Sequence, residues 1–223
     1  MCNAIKDSAQ WGALFDLDGV LVDSEGIYTR FWHDIDLRYP TGVPNFEYVI
    51  KGNTLRTILD TYFADGETRA SIVEALKEHE ANMEYVLFEG VVDFLSLLRE
   101  TGIVSAIVTS SNSSKMRHLF AELPLLRSLV DEVVTEDDVS YSKPHPQGYN
   151  VAASRLGLSP RRCIVFEDSM AGVEAGRRAG GAVVGVATTN PAERLLRFAD
   201  VVVNRVADFD ITTAEELLDS LNR

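Results

Sequence analysis

Seven residues at the ends of short apolar runs carry most of the chemistry this sequence can do. Asp16 and Asp18 close the run Gly12-Ala-Leu-Phe15, and Thr109 and Ser110 follow Val104–Val108. Lys143 stands between Ser142 and Pro144, and Glu167 and Asp168 follow Cys163-Ile-Val-Phe166. Residues two apart in extended backbone share a face, so Asp16 and Asp18 are expected to point the same way. Carboxylates that close repel, and one pKa rises unless a cation sits between them. Asp-x-Asp-Gly alone serves equally well as a solvated Asx turn closing at Gly19. Glu167-Asp168 alone equally suits a helix N-terminus, where the dipole favours anions. Both acidic pairs at one edge would be self-repulsive without a hard cation, and an all-oxygen ligand set suits Mg²⁺. Thr109 and Ser110 precede a helix, and hydroxyls beside free helix N–H groups make a phosphate site. Ordinary N-capping by Ser113 or Ser114 would need neither of them. Pro144 keeps Lys143 out of a helix. A lone loop lysine is usually solvated; within an anionic cluster it is the counter-charge for carboxylate and phosphate.

These groups meet only if the apolar runs are strands of one sheet. The runs are Gly12–Phe15, Val104–Val108, Glu132–Thr135, Cys163–Phe166, Ala182–Val186 and Val201–Val203. Short apolar runs that stop at polar residues read as parallel strands buried on both faces. Helical patterns alternate with them at 91–100, 113–121, 147–156, 170–179 and 213–221. The alternation predicts an α/β fold: a three-layer, doubly wound parallel sheet with helices on both sides. Ligands of such sheets bind at the carboxyl ends of the strands, where all seven residues fall. The stretch after Ser24 breaks the pattern. It has no convincing strand and helical patterns at 25–37, 54–63 and 68–85. We read 24–87 as an α-helical domain inserted into a core formed by 1–23 and 88–223.

The 223-residue chain is long enough to bury a core without disulfides. It carries 21 basic and 34 acidic residues, a net charge of −13, which argues against general nucleic-acid binding and anionic lipid. Cys2 and Cys163 make no disulfide framework, and Cys163 reads as a buried small hydrophobe. Met1–Gln10 lacks a signal-type apolar stretch and no run approaches membrane-span length, so a cytoplasmic, monomeric protein is expected. His33, His79, His118 and His145 show no ligand spacing. Glu136-Asp137-Asp138 reads as a solvated loop. Gly172, Gly176 and Gly180, four apart, read as a packing stripe without chemistry.

Phe15-Asp16-Leu17-Asp18-Gly19-Val20, Thr109, Lys143-Pro144 and Glu167-Asp168-Ser169, in this order and spacing, resemble the four motifs of the haloacid dehalogenase superfamily. The helical insertion looks like that family's small α-helical cap, and the chain is most similar to its β-phosphoglucomutase-like phosphatases. The resemblance implies that Asp16 attacks phosphorus and that Asp18 protonates the leaving oxygen, then deprotonates water. It implies Mg²⁺ held by Asp16, the Asp18 backbone carbonyl and Asp168, with Glu167 assisting. Thr109, the Ser110 amide and Lys143 would hold the phosphoryl oxygens, and Val20–Ser24 would hinge the cap. Asp18 points to phosphoryl transfer, since the dehalogenase branch lacks it; a phosphonatase would need a cap lysine and, typically, alanine at that position.

The expected activity is Mg²⁺-dependent hydrolysis of a small phosphorylated metabolite such as a sugar phosphate. The alternative is a hexose-phosphate mutase. Mutase-like members carry Lys-Gly in the cap, matched by Lys51-Gly52. They also carry a His twelve residues after the nucleophile and an Arg four after the Lys; here those positions hold Tyr28 and Leu55, with Arg56 adjacent. Tyr28, Lys51, Asn53 and Arg56 are the expected substrate-facing cap residues. A phospho-accepting receiver module also uses Asp, Thr and Lys, but lacks the cap and accepts after its third strand. A non-catalytic binding protein would be expected to have lost Asp16 or Asp18.

Overall fold

The computed structural model describes residues 11–220; Cys2, the first ten residues of the expected core and the last residue of the 213–221 helix lie outside them. Six parallel strands form one sheet: β1 (Gly12–Phe15), β2 (Val104–Val108), β3 (Glu132–Val134), β4 (Cys163–Glu167), β5 (Ala182–Val186) and β6 (Val201–Val203). Their spatial order is β3-β2-β1-β4-β5-β6. The chain builds outward from β1 on one side, then returns to β1's other side with β4. That reversal is the topological switch point, where such sheets open a crevice. Phe15 registers with Ile107 of β2 and Phe166 of β4, so Asp16, one residue on, stands over the middle of the sheet edge.

Successive strand residues alternate between two apolar layers. Ala13, Phe15, Ile164 and Phe166 enter one; Leu14, Cys163 and Val165 enter the other. The first is closed by α5 (Val91–Glu100), α6 (Ser113–Glu122), α7 (Pro124–Leu129) and α11 (Ala214–Ser220). The second is closed by α8 (Gln147–Arg155), α9 (Met170–Ala179) and α10 (Ala192–Leu195). Burial on both faces is why the strands are continuously apolar.

Between β1 and α5 lie α1 (Glu25–Arg38), α2 (Phe46–Val49), α3 (Leu55–Tyr62) and α4 (Gly66–Ala81), with no named strand. They enclose an apolar core of their own, with Phe31, Trp32, Phe46, Ile58, Phe63 and Ile72 among its members. This is the inserted helical cap. The two chain crossings to it are tied together: Val22 pairs with Leu87, Phe88 N–H donates to the Leu21 carbonyl at 3.0 Å, and Asp23 N–H donates to the Val86 carbonyl at 2.8 Å. Val20, Leu21 and Val22 are buried. Most of the expected hinge is therefore packed into the core, and of these residues only Asp23 is exposed. Among the described residues, no helix is long and apolar enough to cross a membrane.

Candidate active site

The strand ends bring Asp16, Lys143 and Glu167 into direct contact. Lys143 Nζ donates to Asp16 Oδ1 at 2.5 Å, to Glu167 Oε1 at 2.6 Å and to the Val108 carbonyl at 3.1 Å. Glu167 is wholly buried: Tyr149 Oη also donates to Oε1 at 2.7 Å, and the Ser169 amide and hydroxyl donate to Oε2 at 3.2 and 3.0 Å. Its space exists because residue 172 has no side chain. A Cβ there would stand 1.7 Å from Glu167 Oε1. Gly172 thus serves the site, correcting the reading of the glycine stripe as packing alone. Gly176 does pack: a Cβ there would press on Val165 and Val183 at 3.0 Å.

Asp16, Glu167 and Asp168 offer carboxylate oxygens within 4.8 Å of one another. Three clustered carboxyls face one ammonium, so the group is richer in acid than in base. The donor set is all oxygen, hard and anionic, and it fits a divalent cation such as Mg²⁺. Burial pushes the Asp16 carboxyl up, to about 8, against the pull of Lys143. Burial also works against the Lys143 ammonium, but Asp16 and Glu167 outweigh it and hold that pKa above the usual lysine value.

Asp18 faces the same cleft with different partners. Its carboxylate is not in the three-residue oxygen cluster. It accepts from Lys115 Nζ at 2.8 and 2.7 Å, from Ser111 Oγ at 3.2 Å and from Ser24 Oγ. Burial would raise its pKa, but Lys115 and the two hydroxyls bring it below the ordinary aspartate value. Lys115 is almost fully buried and also stands over the Tyr28 ring at 4.4 Å. We did not foresee this lysine. Its signal was a cation in the first turn of a helix, where the dipole disfavours it.

Thr109 is buried at the cleft floor, with Oγ1 accepting from the Ser111 amide at 3.0 Å. The Ser110 hydroxyl reaches across to the cap and donates to the Gly52 carbonyl at 3.0 Å. Gly52 has φ +81°, and a Cβ on it would lie 2.9 Å from Ser169 Oγ, so the cap loop closes tightly on the core here. Thr57 and Ser142 share a hydroxyl hydrogen bond of 2.7 Å nearby. Tyr28, Lys51 and Asn53 line the cleft with Asp16, Asp18, Thr109, Ser110 and Asp168. Arg56 does not line it; it is exposed, and its amide donates to Glu136 Oε1 at 3.4 Å. Glu136 is buried and lines the cleft, which corrects the reading of Glu136-Asp137-Asp138 as a solvated loop. A short 3₁₀ turn, closed by Thr135 and Asp138, places it there. The loop after β5 was also unforeseen. Thr188 donates to the Gly19 carbonyl, and Asn190 Nδ2 donates to the Asp168 carbonyl at 2.9 Å.

Cys163 is a free buried thiol pushed up to about 12 by burial, as expected of a small hydrophobe. It takes no part in the site.

Replacing Lys115 by Met should release Asp18 while burial remains, so the Asp18 pKa should rise. A step that needs protonated Asp18 should then survive to higher pH. The expected result is that the falling alkaline limb of kcat/KM moves upward, read from a pH profile; an unmoved limb would break the link between Lys115 and Asp18.

The chain matches the haloacid dehalogenase-like hydrolase family over residues 13–186. It is 33% identical over 205 residues to validoxylamine A 7′-phosphate phosphatase of Streptomyces hygroscopicus subsp. limoneus, covering 88% of this chain and 94% of that one. It is 34% identical over 209 residues to hexitol phosphatase A of Escherichia coli K12, covering 90% and 94%. In fold it is similar to β-phosphoglucomutase from Clostridium difficile, with a TM-score of 0.75 at 19% identity over 94% of this chain and 97% of that one. With its sheet, cap and strand-end cluster, the chain belongs to the haloacid dehalogenase-like hydrolases.

Proposed function

We propose that this enzyme hydrolyses the phosphate monoester of a small polyhydroxylated metabolite, such as a sugar or sugar alcohol, through an aspartyl-phosphate on Asp16. The observation that carries the reading is Asp16 at the switch point, buried against Lys143 and opening into the cleft beneath the cap. The relatives named as phosphatases support it, and the hexitol and validoxylamine names support a polyhydroxylated leaving group.

In this reading Asp16 attacks phosphorus as the bond to the ester oxygen breaks. Asp18 gives the leaving oxygen its proton, then takes one from the water that attacks the aspartyl-phosphate, and Asp16 is regenerated. Asp18 is held here as the base, so the acid step requires it to leave Lys115. Thr109, the Ser110 amide and Lys143 steady the phosphoryl oxygens as charge shifts onto them. Asp16, Asp168 and the Asp18 carbonyl would hold Mg²⁺, with Glu167 assisting directly or through water. The ion would offset repulsion between carboxylate and phosphate. Residues 24–87 act as the cap that excludes water, over a core of 1–23 and 88–223.

The mutase alternative has less support. The position of its histidine is Tyr28, whose hydroxyl is engaged with Glu80 at 2.9 Å. The test is ³¹P NMR of the protein with Mg²⁺ and β-glucose 1-phosphate, primed with glucose 1,6-bisphosphate, and then with a hexitol phosphate. Growth of inorganic phosphate is expected. Glucose 6-phosphate forming without free phosphate would replace hydrolysis by the mutase reaction.

A further inference from the structure

The cleft that holds Asp16 and Thr109 extends to the cap and forms a chamber there. Trp32, Ile58 and Leu76 give it apolar lining, and three carboxylates, Glu47, Glu80 and Glu136, line it as well. The chamber opens onto Asp16, so whatever fills it is the part of the substrate beyond the phosphate. Among the described contacts, none of the three carboxylates accepts a hydrogen bond from a lysine or arginine side chain. Glu80 accepts from the neutral Tyr28 hydroxyl at 2.9 Å, with the Lys115 ammonium and His118 acting on it without a hydrogen bond, and Glu136 accepts from the Arg56 amide at 3.4 Å, with the Arg56 side chain acting from outside the cleft. Glu47, with its side chain only 14% exposed, stands 3.7 Å from the ring of His33, which is 57% exposed. Of the two lysines lining the cleft, Lys115 grips both oxygens of Asp18, and Lys51 stands over the Tyr48 ring at 5.2 Å. Burial lifts the carboxyls of both Glu80 and Glu136, so their negative charge is held at a cost that a bound cation would offset.

We propose that this chamber selects a leaving group bearing an amine cation, as in an amino-sugar or amino-polyol phosphate, and rejects one bearing a second anionic group. The inference rests on the phosphatase reading and narrows its substrate class. An ammonium would make charge-assisted hydrogen bonds to the carboxylates, and its carbon frame would lie on the Trp32 wall. A second phosphate would meet like charge instead. The same feature disfavours a mutase, whose sugar must carry a phosphate at each end in turn.

The test is competition against p-nitrophenyl phosphate, in Mg²⁺, by glucosamine 6-phosphate, glucose 6-phosphate and glucose 1,6-bisphosphate. Each yields a kcat/KM or an inhibition constant whether or not it is turned over. Glucosamine 6-phosphate should be preferred over glucose 6-phosphate by at least about fivefold, and the bisphosphate disfavoured by at least about fivefold. Glu47→Gln and Glu80→Gln should each narrow that spread, and glutamine at 80 can still accept from Tyr28. A bisphosphate that competes as well as glucosamine 6-phosphate, or a spread unchanged in both variants, overturns the proposal. If p-nitrophenyl phosphate is not hydrolysed, the phosphatase reading fails by itself. The order is then read from the rise in Tm that each of the three phosphates causes, and equal rises overturn the selectivity separately.

Discussion

Asp16→Asn should release inorganic phosphate at less than about a thousandth of the wild-type rate, because an amide oxygen cannot replace the attacking carboxylate. The fold should survive. Asp16, Glu167 and Asp168 bring three carboxyls together, and Lys143 keeps its 2.6 Å contact with Glu167 when Asp16 loses its charge. Burial penalises the Asp16 charge most. The metal-free variant should therefore melt at the wild-type Tm or slightly above it. The metal response should move the other way. At a hundred times its Kd, a ligand stabilises by about 2.7 kcal/mol, worth a Tm rise of roughly 5–10 °C in a chain of this size. Mg²⁺ should raise the wild-type Tm on that scale and the Asp16→Asn Tm by less than half as much. Phosphate release retained by the variant would remove Asp16 as nucleophile. An equal Mg²⁺ response in both proteins would remove it as a ligand while leaving the nucleophile assignment standing.

The strands were legible because burial on both faces leaves a plain mark, and Phe15, Ile107 and Phe166 lie in register where the apolar runs end. Once the runs are strands of a parallel sheet, the polar residues after them must share an edge. That is why Asp16, Lys143 and Glu167 could be brought together on paper. The helices α2 and α10 are single turns, too short to show a period, and α7 follows α6 after one residue at Pro124. The site residues that were missed share a different cause. Lys115 matters through Asp18, 97 positions away, and Glu136 through Arg56, 80 positions away. Local sequence shows three acids in a row and a lysine near a helix start; it does not show which long-range partner each will meet. Asp18 shows the same limit. Alternation put it at the cleft, yet the partners that hold its carboxylate, Lys115, Ser24 and Ser111, come from elsewhere in the sequence.

Gly172→Ala should be among the most damaging single-methyl changes in the protein. The new Cβ would lie 1.7 Å from Glu167 Oε1 and 1.9 Å from its Cδ. A flexible carboxylate would ordinarily swing aside, but this one is fully buried and gripped by Lys143, Tyr149 and Ser169. Either α9 must move off the sheet or Glu167 must abandon its donors. Overpacking costs about 1–3 kcal/mol, and breaking a buried ion pair about 3–5 kcal/mol. A loss of about 3 kcal/mol should lower Tm by roughly 6–12 °C. The same shift would move Lys143 relative to Asp16, and a misplacement of about 1 Å costs on the order of a hundredfold in rate. Gly176→Ala is the control four residues away. Its Cβ would press only on Val165 and Val183, at 3.0 Å, so it should lower Tm but spare kcat. Shortening Glu167 to Asp in the Gly172→Ala background should restore part of the Tm, since the clash is with the end of that side chain. It should not restore the rate, because the shorter carboxylate no longer reaches Lys143. A Gly172→Ala protein with wild-type Tm and turnover would mean that Glu167 does not occupy the space against α9, and the clamp on Lys143 would have to be abandoned with it.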